Sequence, residues 1–245
     1  MNDINYSWNE SDSNKTQLLE EKIEVDKNQD ETKKAENLST RHNMQIMRRL
    51  FHMFNGGSIA TLYLISFSHS QMIHFLGTIA CALYIVEQVR VNYPETASKL
   101  LPFTRFIMRA EEQLKESAMV PYAMAVLLTI VAFPKHIALI GIYSLAFADP
   151  LSAIVGIRFG KHKLTPTRTI EGSLAFFIAI TLVSLFVLTG YNGKFDILIL
   201  FVSVLLGGIC TAFDMIPLKL DDNLTIPLFT SAVLWVICTL FGVYI

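Results

Sequence analysis

Seven apolar runs of nearly membrane-spanning length follow one another from residue 51 to the end of the chain. They cover residues 51–68, 71–89, 118–134, 137–157, 172–190, 195–213 and 224–244. A helix needs about 20 apolar residues to cross the hydrocarbon core of a bilayer. None of the runs has the two-residue alternation that is typical of a barrel strand. The sequence therefore predicts an all-α integral membrane protein, a bundle of about seven transmembrane helices.

The first forty residues have a different composition from the remainder. They carry a net charge of −5 and are rich in Asn and Ser, whereas residues 41–245 carry +4. Such a polar, acidic segment cannot bury enough apolar surface to fold by itself. We therefore expect a disordered cytoplasmic tail over residues 1–40 and a transmembrane catalytic domain over residues 41–245.

Lysine and arginine alternate between rich and poor connecting segments, which predicts the orientation. The rich segments hold Arg41, Arg48 and Arg49 before the first run, Arg90, Lys99, Arg105, Arg109 and Lys115 in 90–117, and Arg158, Lys161, Lys163 and Arg168 in 158–171. Each remaining segment holds one such residue or none. This alternation places the N-terminus in the cytoplasm and the C-terminus outside.

In this topology nearly every charge capable of chemistry lies at a cytoplasmic helix end. These residues include Arg49, His52, Glu87, Arg90, Arg109, Glu112, Asp214, Asp221, Asp222 and Asn223. A transporter would carry polar groups on both sides of the midplane. The one-sided pattern instead favours an enzyme that takes a soluble cosubstrate from the cytoplasm.

Residues 100–116 are too polar to cross a membrane. Phe103, Phe106 and Ile107 begin an apolar stripe that lies opposite Arg105 and Arg109 on a helix. This pattern predicts an amphipathic helix lying in the membrane interface.

Asp149 is a lone acid inside an apolar run. A carboxylate within a bilayer is costly, so such residues usually face a cavity and are functional. Pro150 disfavours helical geometry at the residue before it, which predicts that Asp149 caps a half-helix running to Gly160. A capped kink without any other role is the alternative.

A row of small residues follows Asp149 on the same helical face. Steps of three and four residues place Ser152, Gly156 and Gly160 on that face, and the chain then enters the basic loop with Lys161, Lys163 and Arg168. Such a surface suits a phosphate-bearing substrate with a metal. The alternatives are a helix-packing face and a loop of positive-inside anchors.

Two acidic groups complete the candidate site. Glu171, followed by Gly172, stands at the entry of the fifth run, where an acid can also serve as a helix cap. Asp221 and Asp222 repel each other unless a cation joins them, and such hard oxygen ligands suit Mg²⁺. A solvated turn that caps the last helix is the alternative for this pair.

Together these motifs resemble those of the polyprenol, dolichol, phytol and CTP-dependent diacylglycerol kinases, which are related to the phosphatidate cytidylyltransferases. The motifs are Asp149-x-x-Ser152-x-x-x-Gly156-x-x-x-Gly160, Lys161-His-Lys163, Arg168-Thr-Ile-Glu171-Gly172 and Asp221-Asp222-Asn223-Leu-Thr-Ile-Pro227. The resemblance extends from about Arg48 to the C-terminus. Arg49, His52, Glu87, Arg90, Arg109 and Glu112 look like weaker family positions. Departures are Ser152 for a usual Ala, Thr167 for a second basic residue, and Asp214 for a common Glu.

The resemblance implies a membrane-embedded kinase that transfers the γ-phosphoryl group of CTP to a lipid alcohol of the diacylglycerol or polyprenol type. Mg²⁺ or another divalent cation would be the cofactor, and the partners would be the lipid, the nucleotide and the membrane, without nucleic acid. The implied roles are catalysis for Asp149 and Glu171, nucleotide binding for Ser152, Gly156, Gly160, Lys161, Lys163, Arg168 and Gly172, and metal binding for Asp149, Asp221 and Asp222.

Three other functions remain open at the level of sequence. A cytidylyltransferase that moves CMP onto a phosphatidate-like lipid would use the same nucleotide in the same setting, and motif spacing does not separate it from a kinase. A small-molecule transporter is disfavoured by the one-sided charge, and a non-catalytic scaffold is disfavoured by the buried acid at Asp149.

Overall fold

The computed structural model describes residues 46–47, 49–93, 119–165, 168–216 and 221–243. The chain separates into two units, Met1–Arg48 and Arg49–Ile245. The helices, cavities and contacts described here belong to the second unit. The predictions for the tail 1–40, the interfacial helix 100–116, Arg109 and Glu112 lie outside the described residues.

The described part of the second unit consists of helices and their connections. In chain order these are α1 (49–65), α2 (His69–Asn92), α3 (Met119–Ala132), α4 (Lys135–Tyr143), a π-helical turn (Ser144–Ala148), α5 (Asp149–Phe159), α6 (Ile170–Asn192), α7 (Ile197–Asp214) and α8 (Asp222–Phe241). These residues contain no β-strand, and an isolated antiparallel bridge joins Lys163 to Thr169. The all-helical prediction is confirmed for this part of the chain.

Five helical segments in the described ranges are long and apolar enough to cross a membrane, judged by length and composition. They are His69–Asn92, Lys135–Phe159, Ile170–Asn192, Ile197–Asp214 and Asp222–Phe241. The remaining two predicted runs are covered by α1 and by α3, which has 14 residues. A helix thus lies on each predicted run, while the count of seven spans and their orientation stay predictions.

The central element is the continuous helix formed by α4, the π-helical turn and α5. In the most apolar 18-residue stretch of this helix, 67% of the residues are buried. The corresponding stretches of the other four long segments are 22–44% buried. It contacts α3, α6 and α8, and Thr61 of α1 approaches Tyr143 with 3.1 Å between the two hydroxyl oxygens. Gly141 permits the close contact with α8, because a Cβ there would lie 2.6 Å from the carbonyl oxygen of Pro227.

The π-helical turn carries the chain through Pro150 without ending the helix. Asp149 has helical backbone angles (φ −62°, ψ −52°), and no side chain caps the start of α5. The prediction that Asp149 is an N-cap is therefore wrong. Proline lacks an N–H and its ring crowds the preceding turn, and here that turn has the wider π-helical form. The helix does end before Gly160, as predicted.

The two ends of the bundle carry different chemistry. At one end Lys135 Nζ donates to the carbonyl oxygen of Phe67 at 2.7 Å and lies 5.1 Å from the ring centre of Tyr63. At the same end Asp196 caps α7 by accepting from the N–H of Leu198 at 3.0 Å. Lys135 is the first residue of α4 and Asp196 directly precedes α7, so both contacts lie at helix ends. The opposite end holds the clustered charges described next.

Candidate active site

Arg168 joins the loop before α6 to the ends of α7 and α8. Its guanidinium Nη2 donates to Asp214 Oδ1 at 2.8 Å and to Asp222 Oδ2 at 3.4 Å. The Asp214 side chain is only 5% exposed, whereas that of Asp222 is 58% exposed. The loop fixes the arginine backbone, since the N–H groups of Leu164 and Thr165 donate to the Arg168 carbonyl oxygen at 3.0 and 3.1 Å.

Asp149 belongs to the same group of charges. Its Oδ2 lies 3.9 Å from Nη1 of Arg49, at the start of α1. The charges of Arg168 and Asp222 also act on this carboxylate, and the charge of Asp149 in turn acts on Asp214. Three carboxylates and two guanidinium groups, which are far apart in sequence, therefore meet at one end of the bundle.

A cavity of about 170 Å³ opens beside these charges, between α5 and α6. Its charged lining consists of Arg49, Arg168 and Asp214. Its small residues include Ser152, Gly156, Gly172 and Ser173. The cavity wall thus combines two cationic groups, one carboxylate and several short side chains.

The row of small residues on α5 packs against Thr169, the N-cap of α6. A Cβ on Gly156 would lie 3.0 Å from Thr169 Oγ1, and a Cβ on Gly160 would lie 2.7 Å from Thr169 Cγ2. Thr169 Oγ1 accepts from the N–H of Gly172 at 3.1 Å. These contacts fit the helix-packing alternative for the row, although Ser152 and Gly156 also line the cavity.

Glu171 holds the basic loop through His162. Its Oε1 lies 2.8 Å from His162 Nδ1 and accepts from the His162 backbone N–H at 3.3 Å. The His162 carbonyl oxygen in turn accepts from Ile170 N at 2.9 Å. Lys161 and Lys163, on either side of this histidine, are exposed and form no ion pair with the described residues. Glu171 therefore holds the backbone at the residue between the two lysines.

The adjacent acids Asp221 and Asp222 have different partners. Asp221 Oδ1 accepts from the backbone N–H of Asn223 at 3.0 Å and from its side-chain amide at 2.9 Å, so this residue caps α8. Asp222 approaches Arg168 instead. Across the described ranges, no three or more His, Cys, Asp or Glu side chains are grouped so that they could hold a metal ion.

Of the weaker candidates on α1 and α2, Arg49 lines the cavity, whereas His52, Glu87 and Arg90 lie apart from its lining. Glu87 and Arg90 form a buried two-point ion pair within α2, with distances of 2.7 and 3.0 Å. His52 packs edge-on against Tyr122 of α3, with 4.8 Å between ring centres. Neither the ion pair nor His52 contributes to the cavity wall.

A second, smaller cavity of about 20 Å³ lies between α7 and α8. Its lining is mainly apolar and includes Phe176, Phe213 and Phe229. The rings of Phe213 and Phe229 stack with 3.6 Å between their centres. Asp214 lines both cavities, so its carboxylate stands between a polar and an apolar space.

Comparison with known proteins relates most of the chain to lipid kinases. CTP-dependent diacylglycerol kinase 1 of Saccharomyces cerevisiae is 26% identical over 212 residues, which cover 78% of this chain and 72% of that protein. The protein of the same name from Schizosaccharomyces pombe is 23% identical over 209 residues, covering 79% and 93%. The chain is a relative of the CTP-dependent diacylglycerol kinases. The resemblance seen in the motifs is thereby confirmed.

A protein of Rickettsia prowazekii described as uncharacterized is 35% identical over 103 residues, which are 41% of this chain and about half (48%) of that protein. No family model and no solved structure matches the chain. The relationship to the kinases therefore rests on alignments that cover 78–79% of this chain and on the motifs.

Sequence reasoning missed three residues that the structure places in the cavity wall or in contact with a candidate site residue. Thr169 directly precedes α6, a position where threonine is typical of an N-cap. Its hydroxyl accepts from the N–H of Gly172, three residues later. His162 stands between two lysines and pairs with Glu171. Ser173 directly follows Gly172 and lines the cavity. No spacing in the sequence indicated that His162 would pair with Glu171 or that Ser173 would line the cavity.

Proposed function

We propose that this chain is a membrane lipid kinase that transfers the γ-phosphoryl group of CTP to the hydroxyl of diacylglycerol. The observation that carries this proposal is a cavity lined by Arg49, Arg168 and Asp214 at one end of a bundle of apolar helices, with Asp149 paired to Arg49. The names of the two yeast relatives, CTP-dependent diacylglycerol kinases, supply the donor and the acceptor.

On the donor side, Arg49 and Arg168 would bind phosphate oxygens. Phosphoryl transfer depends mainly on positioning the reactants and on neutralising the charge of the transferred group. Guanidinium groups suit this task because their planar donors match phosphate oxygens in pairs. Lys161 and Lys163, presented by the loop that Glu171 holds, would extend the cationic surface toward the rest of the nucleotide.

The carboxylates near these arginines fit a divalent cation that binds together with the nucleotide. When phosphates attract Arg168, Asp214 and Asp222 lose the positive charge that now compensates them. Mg²⁺ is commonly bound by one or two carboxylates and completes its shell with phosphate oxygens and water. One or two of Asp149, Asp214 and Asp222 would therefore hold the cation together with the phosphates, since no three such side chains in the described ranges form a metal-binding group by themselves, whereas Asp221 is occupied as the α8 cap. Such a cation would neutralise phosphate charge.

On the acceptor side, Asp149 is the proposed general base. Its carboxylate would take the proton of the lipid hydroxyl while that oxygen attacks the γ-phosphorus. The bond from the γ-phosphorus to the bridging oxygen then breaks, and CDP leaves with the electron pair. Asp214 faces both the polar and the apolar cavity, which suits a reaction between a water-soluble donor and a lipid that approaches past Phe213 and Phe229.

The proposed site faces the cytoplasm. The basic residues around the loop before α6 lie at the same end as the charged group; they are Arg158, Lys161, Lys163 and Arg168. Lysine and arginine are enriched in the cytoplasmic loops of membrane proteins. This orientation would expose the cavity to the nucleotide pool. The seven-span topology belongs to the same proposal.

A matrix of donors and acceptors tests the proposal. Purified full-length protein in mixed micelles is given CTP or ATP with diacylglycerol or a polyprenol, and phosphorylated lipid is measured. We expect phosphatidate to form fastest with CTP and diacylglycerol. Polyprenyl phosphate without phosphatidate would overturn the acceptor assignment, and the absence of phosphorylated lipid from all four pairs would overturn the kinase assignment.

A further inference from the structure

One buried hydroxyl in the cavity takes no part in the scheme above. Ser173, in the first turn of α6, is only 6% exposed. Its Oγ has no hydrogen-bond partner among the described residues, although it lines the cavity beside Arg168 and Asp214. Buried hydroxyl groups normally have a partner, so this atom marks a position where a bound molecule can supply one.

Ser152 provides an internal comparison within the same cavity. Its Oγ donates to the carbonyl oxygen of Asp149 at 2.9 Å, inside its own helix. The hydroxyl of Ser152 is thus already used by the fold. Of the two serines in the cavity wall, Ser173 is the one available to a ligand within the described structure.

The surroundings of Ser173 favour an anionic ligand. Two guanidinium groups, those of Arg49 and Arg168, line the same cavity. The N-terminus of α6, which begins at Ile170, adds the positive end of a helix dipole. A hydroxyl donor, two cations and a helix N-terminus together form a phosphate-binding arrangement.

We propose that Ser173 Oγ donates a hydrogen bond to a phosphate oxygen of the bound nucleotide, which makes Ser173 a substrate-contacting residue. This inference rests on the proposed kinase function. A phosphate could also belong to the lipid product, but the apolar lining expected for a lipid lies on the other side of Asp214, around Phe213 and Phe229. The cavity of Ser173 lies on the side of the basic loop.

The test compares Ser173→Ala with Ser203→Ala. Ser203, on α7, is fully buried and likewise lacks a partner in the described residues, but it lines neither cavity. A hydrogen bond to a charged group is worth enough that its loss lowers affinity by about tenfold or more. We expect Ser173→Ala to raise the KM for CTP by about tenfold and to leave the KM for diacylglycerol unchanged. Ser203→Ala should change neither value.

The possible results separate the inference from the kinase proposal. A normal KM for CTP in Ser173→Ala, or equal losses of activity and melting temperature in both variants, would overturn the inference alone. A raised KM for diacylglycerol but not for CTP would assign the Ser173 contact to the lipid acceptor and would also overturn it. If wild-type protein transfers no phosphate, the kinase proposal fails, and labelled CTP binding decides the inference: Ser173→Ala must bind about tenfold more weakly than wild type.

Discussion

Arg168 and Asp214 lie 46 positions apart and form an ion pair with 2.8 Å between Nη2 and Oδ1. This contact connects the basic loop to the end of α7, beside the cavity. The Asp214 side chain is almost fully buried, and removing one partner of a buried pair leaves an uncompensated charge. The pair therefore holds Arg168 at the cavity wall.

Replacement of Arg168 by alanine should lower transfer at least about 100-fold, because both a phosphate contact and the position of Asp214 are lost. The control is Arg158→Ala, because Arg158 is exposed on the last turn of α5, packs on the ring of Phe159 and is absent from the cavity wall. Phosphatidate formation is measured in membranes that contain equal amounts of each protein. Equal activity in the two variants would argue against a phosphate-binding role.

Asp149→Asn should reduce transfer by roughly 10²–10⁴-fold, the range expected when a general base is removed. Asparagine has nearly the same size, so the amount of protein inserted in the membrane should not fall. The matched control is Asp196→Asn at the opposite end of the bundle, where asparagine is an equally good helix cap. Activity close to wild type in Asp149→Asn would exclude Asp149 as base or metal ligand.

Glu171→Ala should impair transfer more than His162→Ala. The Glu171 carboxylate accepts from both the ring and the backbone N–H of His162, and the alanine at position 162 keeps the second of these bonds. We expect the KM for CTP to rise in Glu171→Ala, because Lys161 and Lys163 are no longer held, and to change less in His162→Ala. The reverse order would show that the imidazole itself contributes to the reaction.

Gly172→Ala should destabilise the protein by about 1–3 kcal/mol, the usual cost of overpacking. A Cβ there would lie 2.7 Å from the carbonyl oxygen of Ser152, a backbone atom that cannot move without shifting α5. Gly190→Ala in the same helix meets nothing within 4 Å and should be neutral or stabilising. Thermal unfolding in detergent compares them, and equal melting temperatures would mean that α5 and α6 are not tightly packed at Gly172.

Elements of the fold could be predicted from the sequence because apolar length is a direct requirement of the bilayer. The helix end at Gly160 was predictable for a different reason, because glycine has a low helix propensity. The geometry at Asp149 was not. The effect of Pro150 depends on the preceding turn, and nothing in the residues from Ser144 to Ala148 indicated that this turn would widen into a π-helix.

The candidate site was predictable as a set of residues and less so as a set of contacts. The predicted topology brought Asp149, Arg168 and Asp222 to the same end of the bundle. In the structure the charges of Arg168 and Asp222 act on Asp149. Side-chain partners depend on tertiary approach, however. Sequence alone did not indicate that Arg168 would pair with Asp214, or that Asp221 and Asp222 would have different partners.

The position of the label transferred from CTP is the most direct measurement of the proposed reaction. Wild-type protein is incubated with diacylglycerol and CTP labelled at either the γ- or the α-phosphate, and the lipid is extracted. We expect γ-label in phosphatidate and no α-label in the lipid. When phosphatidate is supplied as the acceptor instead, α-label in the lipid with γ-label in pyrophosphate would contradict the kinase assignment and identify CMP transfer.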